Sequence, residues 1–291
     1  MNSKTKSLIE IHLATFLFGF AALFGKWLTV SPMVIVFGRT VFATVTLALI
    51  ILFSKQSFKL SSKNDYLFLF SMGLIYIVHW FAFFQSVQVS NVAICVLTFS
   101  TFPIFVTFLE PFVFKERIRI IDIITAIVTL FGASLVIPKF EITNNLTQGA
   151  LWGMLSGITF AVLILANRKN IKEYSSLVIT FYQNCTCAIV SAPFVMYLKP
   201  AFHVKEIVLL ILLGVLFTAI TQAIYIDGLS HIKAQLASII ISLEPVYAII
   251  FAAILLKEIP SVRTILGGLI ILGAIILATF KSKQREIVLE C

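Results

Sequence analysis

One framework occurs twice in this chain, 142 positions apart. Ser100, Pro103, Lys115 and Glu116 return as Ser242, Pro245, Lys257 and Glu258, while the residues between them change identity and stay apolar. Ile104-Phe105-Val106 becomes Val246-Tyr247-Ala248, and Val113-Phe114 becomes Leu255-Leu256. A repeat of that period sets two expected units, residues 1–145 and 146–291. Any fold has to be assembled from two copies of one plan.

The plan is a membrane plan. Hydrophobic residues make up 60% of the chain and charged residues 12%, against about 45–50% and about 25% in soluble domains. A helix needs ~20 mostly apolar residues to cross the hydrocarbon core, because lipid offers the backbone no hydrogen bonds. Ten such runs fall near 11–30, 33–53, 66–86, 93–114, 119–138, 149–167, 175–198, 206–229, 234–256 and 260–280. They are separated by turn chemistry: Ser31-Pro32, the polar run from Lys55 to Asp65, Ser90-Asn91, the stretch from Glu141 to Gln148, Lys199-Pro200, and Pro260 opening the last run. The first run is long for a signal peptide and shows no small-residue cleavage site, so it is expected to stay as a span. The expected fold is an all-α integral membrane protein of ten transmembrane helices, with no linker long enough for a soluble domain.

The net charge of +9 does not indicate nucleic acid, because the 22 basic residues are scattered through short connections. It indicates topology. With the N-terminus in the cytoplasm, 15 Lys and Arg residues fall inside and 6 outside, with Arg39 within a span. Both termini are therefore expected to be cytoplasmic, in the cell membrane (the inner membrane if the source is bacterial). Five spans per half is an odd number, so the second half enters the membrane in the opposite sense: a 5+5 inverted repeat. Such repeats place a substrate site near the midplane, where one half rocks against the other. Cys95, Cys185 and Cys187 lie inside apolar runs and Cys291 is last, which argues against an exported disulfide framework. Cys185 and Cys187 point to different helix faces, so no metal is expected, and no cofactor.

At this point the residues resemble a known group. The glycine-containing third and eighth spans, Pro103 and Pro245, Glu116 and Glu258, Gly132, and the run Gly267-Gly268-Leu269-Ile270-Ile271-Leu272-Gly273 are similar to the drug/metabolite transporter superfamily, EamA type. The resemblance covers nearly the whole chain. It implies a ten-helix secondary carrier with a basket-like central cavity, moving amino acids or other small metabolites, often outward. The chain departs from the pattern at Gly19-Phe20-Ala21-Ala22 and at Ala126, whose counterpart is Gly268.

Charges in hydrocarbon cost at least ~2.5–3.5 kcal/mol each, so every one needs a reason. Arg39, His79, Glu110 and Glu244 qualify. Glu110 lies near a span end, where snorkelling or pairing with Lys115 accounts for it. Glu244 is near mid-depth, and a carboxyl poised there is suited to taking up and releasing a proton; the bland reading is an acid that locks span nine to a neighbour. Arg39 and His79 are expected at similar depth as a positive rim, with the guanidinium offering a bidentate fork to a substrate carboxylate or pairing with Glu244. Tyr76, Trp80 and Phe83 share one helical stripe, and Thr218, Thr221, Gln222 and Tyr225 another. Polar atoms among apolar walls suit a small-molecule pocket, while ordinary helix packing uses the same residue types. The candidate substrate-binding residues are Arg39, His79, Trp80, Gln222, Tyr225 and Glu244. The 28 phenylalanines are read mainly as lipid-facing bulk, and Gly267, Gly268 and Gly273 as sites of close helix approach.

These readings point to secondary transport of a small metabolite, with an amino acid or a related compound ahead of nucleotides and vitamins because Arg39 with Glu244 offers one cation and one acid. The expected partners are the lipid bilayer, a small-molecule substrate and protons, with no nucleic acid, in a monomer or homodimer. An integral membrane enzyme is the competing class. No H-E-x-x-H motif, Walker lysine loop or paired aspartates for magnesium and diphosphate occur.

Overall fold

The computed structural model describes residues 3–114, 120–136, 141–170, 173–232, 234–241, 243–274 and 277. Lys115, Glu116, Lys139, Ser242 and Cys291, which entered the repeat, the charge count or the cysteine inventory, lie outside the described residues. Among the described residues every regular element is helical. In chain order these are α1 (Ser3–Ala21) with the one-turn α2 (Phe24–Trp27), α3 (Pro32–Phe53), α4 (Lys63–Val89), α5 (Val92–Phe99), α6 (Phe102–Phe114), α7 (Ile120–Val136), α8 (Asn145–Asn170) and α9 (Ser176–Leu198). They continue as α10 (Val204–Gly214), a π-helical segment Val215–Ile220, α11 (Thr221–Gly228), α12 (Ala234–Ile241), α13 (Glu244–Phe251) with a second π-helical segment Ala252–Leu256, and α14 (Val262–Ala274).

Helix starts follow local chemistry. Ser62 and Asp65 form a reciprocal capping box at α4, the Asn91 side chain accepts from Ile94 N at 2.9 Å at α5, and Ser175 caps α9. Pro32 sits in the first turn of α3, where its missing N–H costs nothing. Among the described residues, seven helical stretches are long and apolar enough to cross a membrane, and shorter apolar helices occupy Ile123–Val136, Glu244–Leu256 and Val262–Ala274, within three further predicted spans. Large apolar side chains such as Phe53, Phe131, Ile189 and Met196 face outward, as lipid contact requires.

The 142-residue period is visible in the helix bounds. Val92–Phe99 recurs as Ala234–Ile241, and Phe102–Phe114 as Glu244–Leu256, at that offset. The fourth and ninth spans, expected to be continuous, are each interrupted before the repeated proline. Pro103 and Pro245 have no N–H to continue the ladder, and the chain bridges each gap with matching three-residue turns. Thr101 N donates to Thr98 O at 3.2 Å and Ile104 N to Thr101 O at 3.0 Å; Leu243 N donates to Ile240 O at 3.1 Å and Val246 N to Leu243 O at 3.0 Å.

Packing follows the same exchange. α3 packs on its counterpart α9, while α5 packs on α13 and α12 on α6, so the first part of each interrupted span meets the second part of the other. Elsewhere α1 packs on α11 and α13 as α8 packs on α4 and α6. Close approach recurs with the halves swapped: a Cβ on Gly228 would lie 3.2 Å from Ser7 O, and a Cβ on Gly149 would lie 3.2 Å from Ser86 O. Gly132 and Gly267 meet backbone to backbone as expected, whereas Gly273 faces open space, so close approach does not explain it.

Candidate functional site

Arg39, the eighth residue of α3, is 0% exposed and so is enclosed by the neighbouring helices. Its Nε donates to Thr218 Oγ1 at 2.9 Å, and its guanidinium carbon lies 3.5 Å from the centroid of Trp80 and 5.4 Å from that of Phe84. Nη1 and Nη2 are buried without a hydrogen-bond partner. Thr218 is delivered by the π-helical segment, in which its hydroxyl donates to Leu213 O, five residues back, at 2.7 Å. That wider turn occurs at one of the places where π geometry tends to appear, a candidate functional site. The alternative pairing of Arg39 with Glu244 is not made among the described residues; Thr218 takes that place.

Four of the six candidates converge. Trp80 stacks under Arg39, and His79 lies against Trp80 with ring centroids 4.7 Å apart. His79 Nδ1 lies 3.0 Å from both the carbonyl oxygen and Oγ of Ser156. Gln222, one turn beyond Thr218, accepts at Oε1 from Tyr76 Oη at 2.7 Å and from Asn184 Nδ2 at 2.8 Å. Its Nε2 donates to Gln183 Oε1 at 2.7 Å, and Gln183 Nε2 donates to Asn167 Oδ1 at 2.6 Å. A buried line of carboxamides therefore joins α4, α11, α9 and α8. Gln183, Asn184 and Asn167 were missed in the sequence, where isolated amides inside apolar runs look like packing residues.

Tyr225 is part of an aromatic enclosure: its ring is 6.1 Å from Phe160 and 5.8 Å from Phe18, and Phe160 stacks on His79 at 5.1 Å. Phe83, Phe99 and Phe102 complete this interior cluster. Tyr225 Oη, Trp80 Nε1 and Asn184 Oδ1 are buried without partners, alongside the two free nitrogens of Arg39. Buried polar atoms left unpaired are expensive and rare. The Arg39 nitrogens and the indole N–H of Trp80, whose ring lies against that guanidinium, are donors that a polar ligand or water would complete.

Glu244 begins α13 and is 4% exposed, with no ion pair or hydrogen bond to its carboxylate among the described residues. A Cβ on Gly19 would lie 3.1 Å from Glu244 O, so α1 crosses directly at this point. Glu244 is thus at the α1–α13 crossing and not in contact with Arg39. Glu110 is bound by Arg168 Nη1 at 2.7 Å, while its expected partner Lys115 lies outside the described residues. A cavity of about 400 Å³, lined by Asn91, Ile94, Glu258, Ser261 and Arg263 among others, opens at one end of the molecule and not around Arg39.

Comparison with known proteins agrees with this architecture. A model of the EamA-like transporter family matches residues 5–137 and again residues 147–280. The uncharacterized transporter YxxF of Bacillus subtilis (strain 168) is 25% identical over 294 residues, covering 98% of this chain and 94% of that protein. An S-adenosylmethionine uptake transporter of Rickettsia prowazekii (strain Madrid E) is 26% identical over 189 residues, 62% of this chain and 61% of its own. One crystal structure superposes with a TM-score of 0.73 at 18% identity, over 97% of this chain and 99% of the other, a likeness of fold.

Proposed function

Because the chain belongs to the EamA-like transporter family, a family of multi-pass membrane carriers, we propose that it moves a small carboxylate-bearing metabolite, an amino acid or a relative of one, by alternating access. The observation that carries this reading is Arg39: a guanidinium at 0% exposure with both terminal nitrogens unpartnered, held on Trp80 and Thr218. A planar cation presenting two parallel N–H donors matches a carboxylate. The aromatic enclosure and the Gln222–Gln183 amides provide apolar walls with few polar points, as small-molecule sites do. His79, Trp80, Gln222 and Tyr225 are then binding residues around Arg39.

In this reading the two units, 1–145 and 146–291, are five-helix repeats of opposite orientation with both termini cytoplasmic, and the swapped helix pairings support it. Glu244, at the crossing of α1 and α13, is the proton-exchanging group. A carrier of this kind is reversible, so export and uptake are one cycle run under different gradients. The relative named for S-adenosylmethionine uptake favours substrates that join an amino-acid carboxylate to an aromatic portion, since Trp80, Phe160 and Tyr225 offer stacking surfaces.

The test is counterflow in proteoliposomes holding the purified full chain, with amino acids, aminoacyl nucleosides, free nucleotides and vitamins as competitors. Competition by carboxylates, abolished in their methyl esters, is expected. Competition by nucleotides alone would overturn the substrate class, and no flux with any of them would count against a carrier.

A further inference from the structure

Two ion pairs at opposite ends of the molecule are related by the repeat. Lys26 and Arg168 are 142 positions apart, each near the end of the first helix of its half. Each reaches across to a carboxylate of the other half, Glu110 inside its fourth span and Glu258 two residues past the end of its own: Lys26 Nζ lies 4.0 Å from Glu258 Oε1 and Arg168 Nη1 lies 2.7 Å from Glu110 Oε1. We propose that Lys26–Glu258 and Arg168–Glu110 are a matched pair of latches that shut the two ends of the substrate path in turn. The proposal rests on the alternating-access reading above.

The ends are fixed by a single span. Glu258 Oε2 accepts from Val92 N at 3.1 Å, at the start of α5, whereas Glu110 lies near the end of α6. The eighteen positions from Val92 to Glu110 correspond to about 27 Å of helix, nearly the hydrocarbon thickness. Each latch ties more than its two charges. Lys26 also donates to Ser90 O at 2.8 Å, gathering the ends of α2, α4 and the ninth span, and the Arg168 guanidinium lies 4.5 Å over Phe114, gathering α8 and α6.

The acids show that pairing is not simply inherited from the duplication. The counterpart of Glu110 at the 142-residue offset is Ala252, and the counterpart of Glu258 is Glu116, which lies outside the described residues. The cations are copied, while the carboxylate that Arg168 holds stands at a position with no acid in the other half. A cross-half bridge is present at both ends, while Arg39 between them is sealed from solvent. A carrier that exposes its centre to one side has to release one of these bridges and keep the other.

The latches also differ. The Arg168–Glu110 side chains are 20% and 8% exposed and in direct contact; those of Lys26 and Glu258 are 26% and 28% exposed at the limit of contact. The shorter, drier bridge is the harder to release, so the Lys26 end opens first when no substrate is bound.

Thiol labelling reads this without substrate. In the full chain with Cys185, Cys187 and Cys291 replaced by alanine, Cys95 is the remaining thiol, fully buried three residues beyond Val92. Its repeat counterpart, Ala237, is equally buried and serves the other end as Ala237→Cys with Cys95→Ala. An impermeant maleimide is applied to one face at a time of sealed vesicles. Lys26→Gln is expected to speed Cys95 labelling from its own face about fivefold, and Arg168→Gln to speed labelling at position 237 from the opposite face about tenfold. The conservative variant Lys26→Arg is expected to keep the unmodified rate, which separates lost attraction from misfolding. Unchanged rates in both single variants, acceleration from both faces together, or Lys26→Arg as fast as Lys26→Gln would overturn the latches. A protein that labels as expected but moves no metabolite keeps the latches and loses the carrier reading; transport with insensitive labelling does the reverse.

Discussion

The two halves share backbone positions and differ in chemistry. At the 142-residue offset Trp80 corresponds to Gln222, Phe83 to Tyr225, Tyr76 to Thr218, Phe102 to Glu244 and Arg39 to Phe181. The first half supplies the cation and an aromatic wall, whereas the second supplies an acid, a hydroxyl and carboxamides. Contacts then cross between halves: Arg39 binds Thr218, and Tyr76 binds Gln222. In the proposed site, duplication gives two facing walls, and divergence at matched positions makes Arg39 and Tyr76 complementary to Thr218 and Gln222. A site made of two identical walls could not hold a molecule whose ends differ.

The largest expected effect tests the least symmetric position. Glu244→Gln keeps the shape of the acid and removes its ability to ionise, so pH-driven uptake is expected to vanish while substrate counterflow persists in the same proteoliposomes. Full pH-driven uptake by this variant would leave Glu244 no different in role from Phe102. Next comes the cation. Arg39→Ala is expected to weaken carboxylate substrates about 10- to 100-fold, the range for a charge-assisted hydrogen bond in a dry site. Neutral analogues should change far less, and an equal loss for both, measured by competition, would make Arg39 structural.

Smaller effects sharpen the comparison of the walls. Trp80→Gln makes the first wall resemble the second; losing a desolvated cation–π contact is expected to weaken binding about tenfold. Substrate affinity unchanged by this replacement would mean that the aromatic wall is only packing. The mildest is Gln183→Leu, which strips one partner from Gln222 and from Asn167. Interhelical hydrogen bonds in membranes contribute about 0.6 kcal/mol on average, so a loss of that order in unfolding free energy is expected, read in a detergent titration. A loss several times larger would show that the amide line acts as a unit.

Much of this was legible before any coordinates. The Ser-x-x-Pro repeat located the duplication, though not the helix interruptions that precede its prolines, and Arg39, His79, Trp80 and Gln222 stood out because each is costly in hydrocarbon or lies on a shared helical stripe. What escaped depended on distance in the chain or on backbone detail. Arg168 is 58 positions from Glu110, so no local spacing points to that bridge. The π-helical turn that aims Thr218 leaves no mark in apolar periodicity, and the depth of Arg39 follows from α10 and the π-helical segment packing over it, not from its place in α3. Gln183 and Asn184 gain meaning only when Gln222 is seen to reach them from another helix.

The interruptions before Pro103 and Pro245 bear on leakage. An unbroken span from Val92 to Phe114 would be a stiff rod about 34 Å long, and swinging one end outward would swing the other inward. Such a rod couples the two entrances rigidly, so an imperfect stroke leaves both ajar and dissipates the ion gradient. Jointed at the midplane, each half-rod can seat against its own neighbours without regard to the other. In the proposed carrier, a joint at this depth would let the membrane stay tight through the stroke.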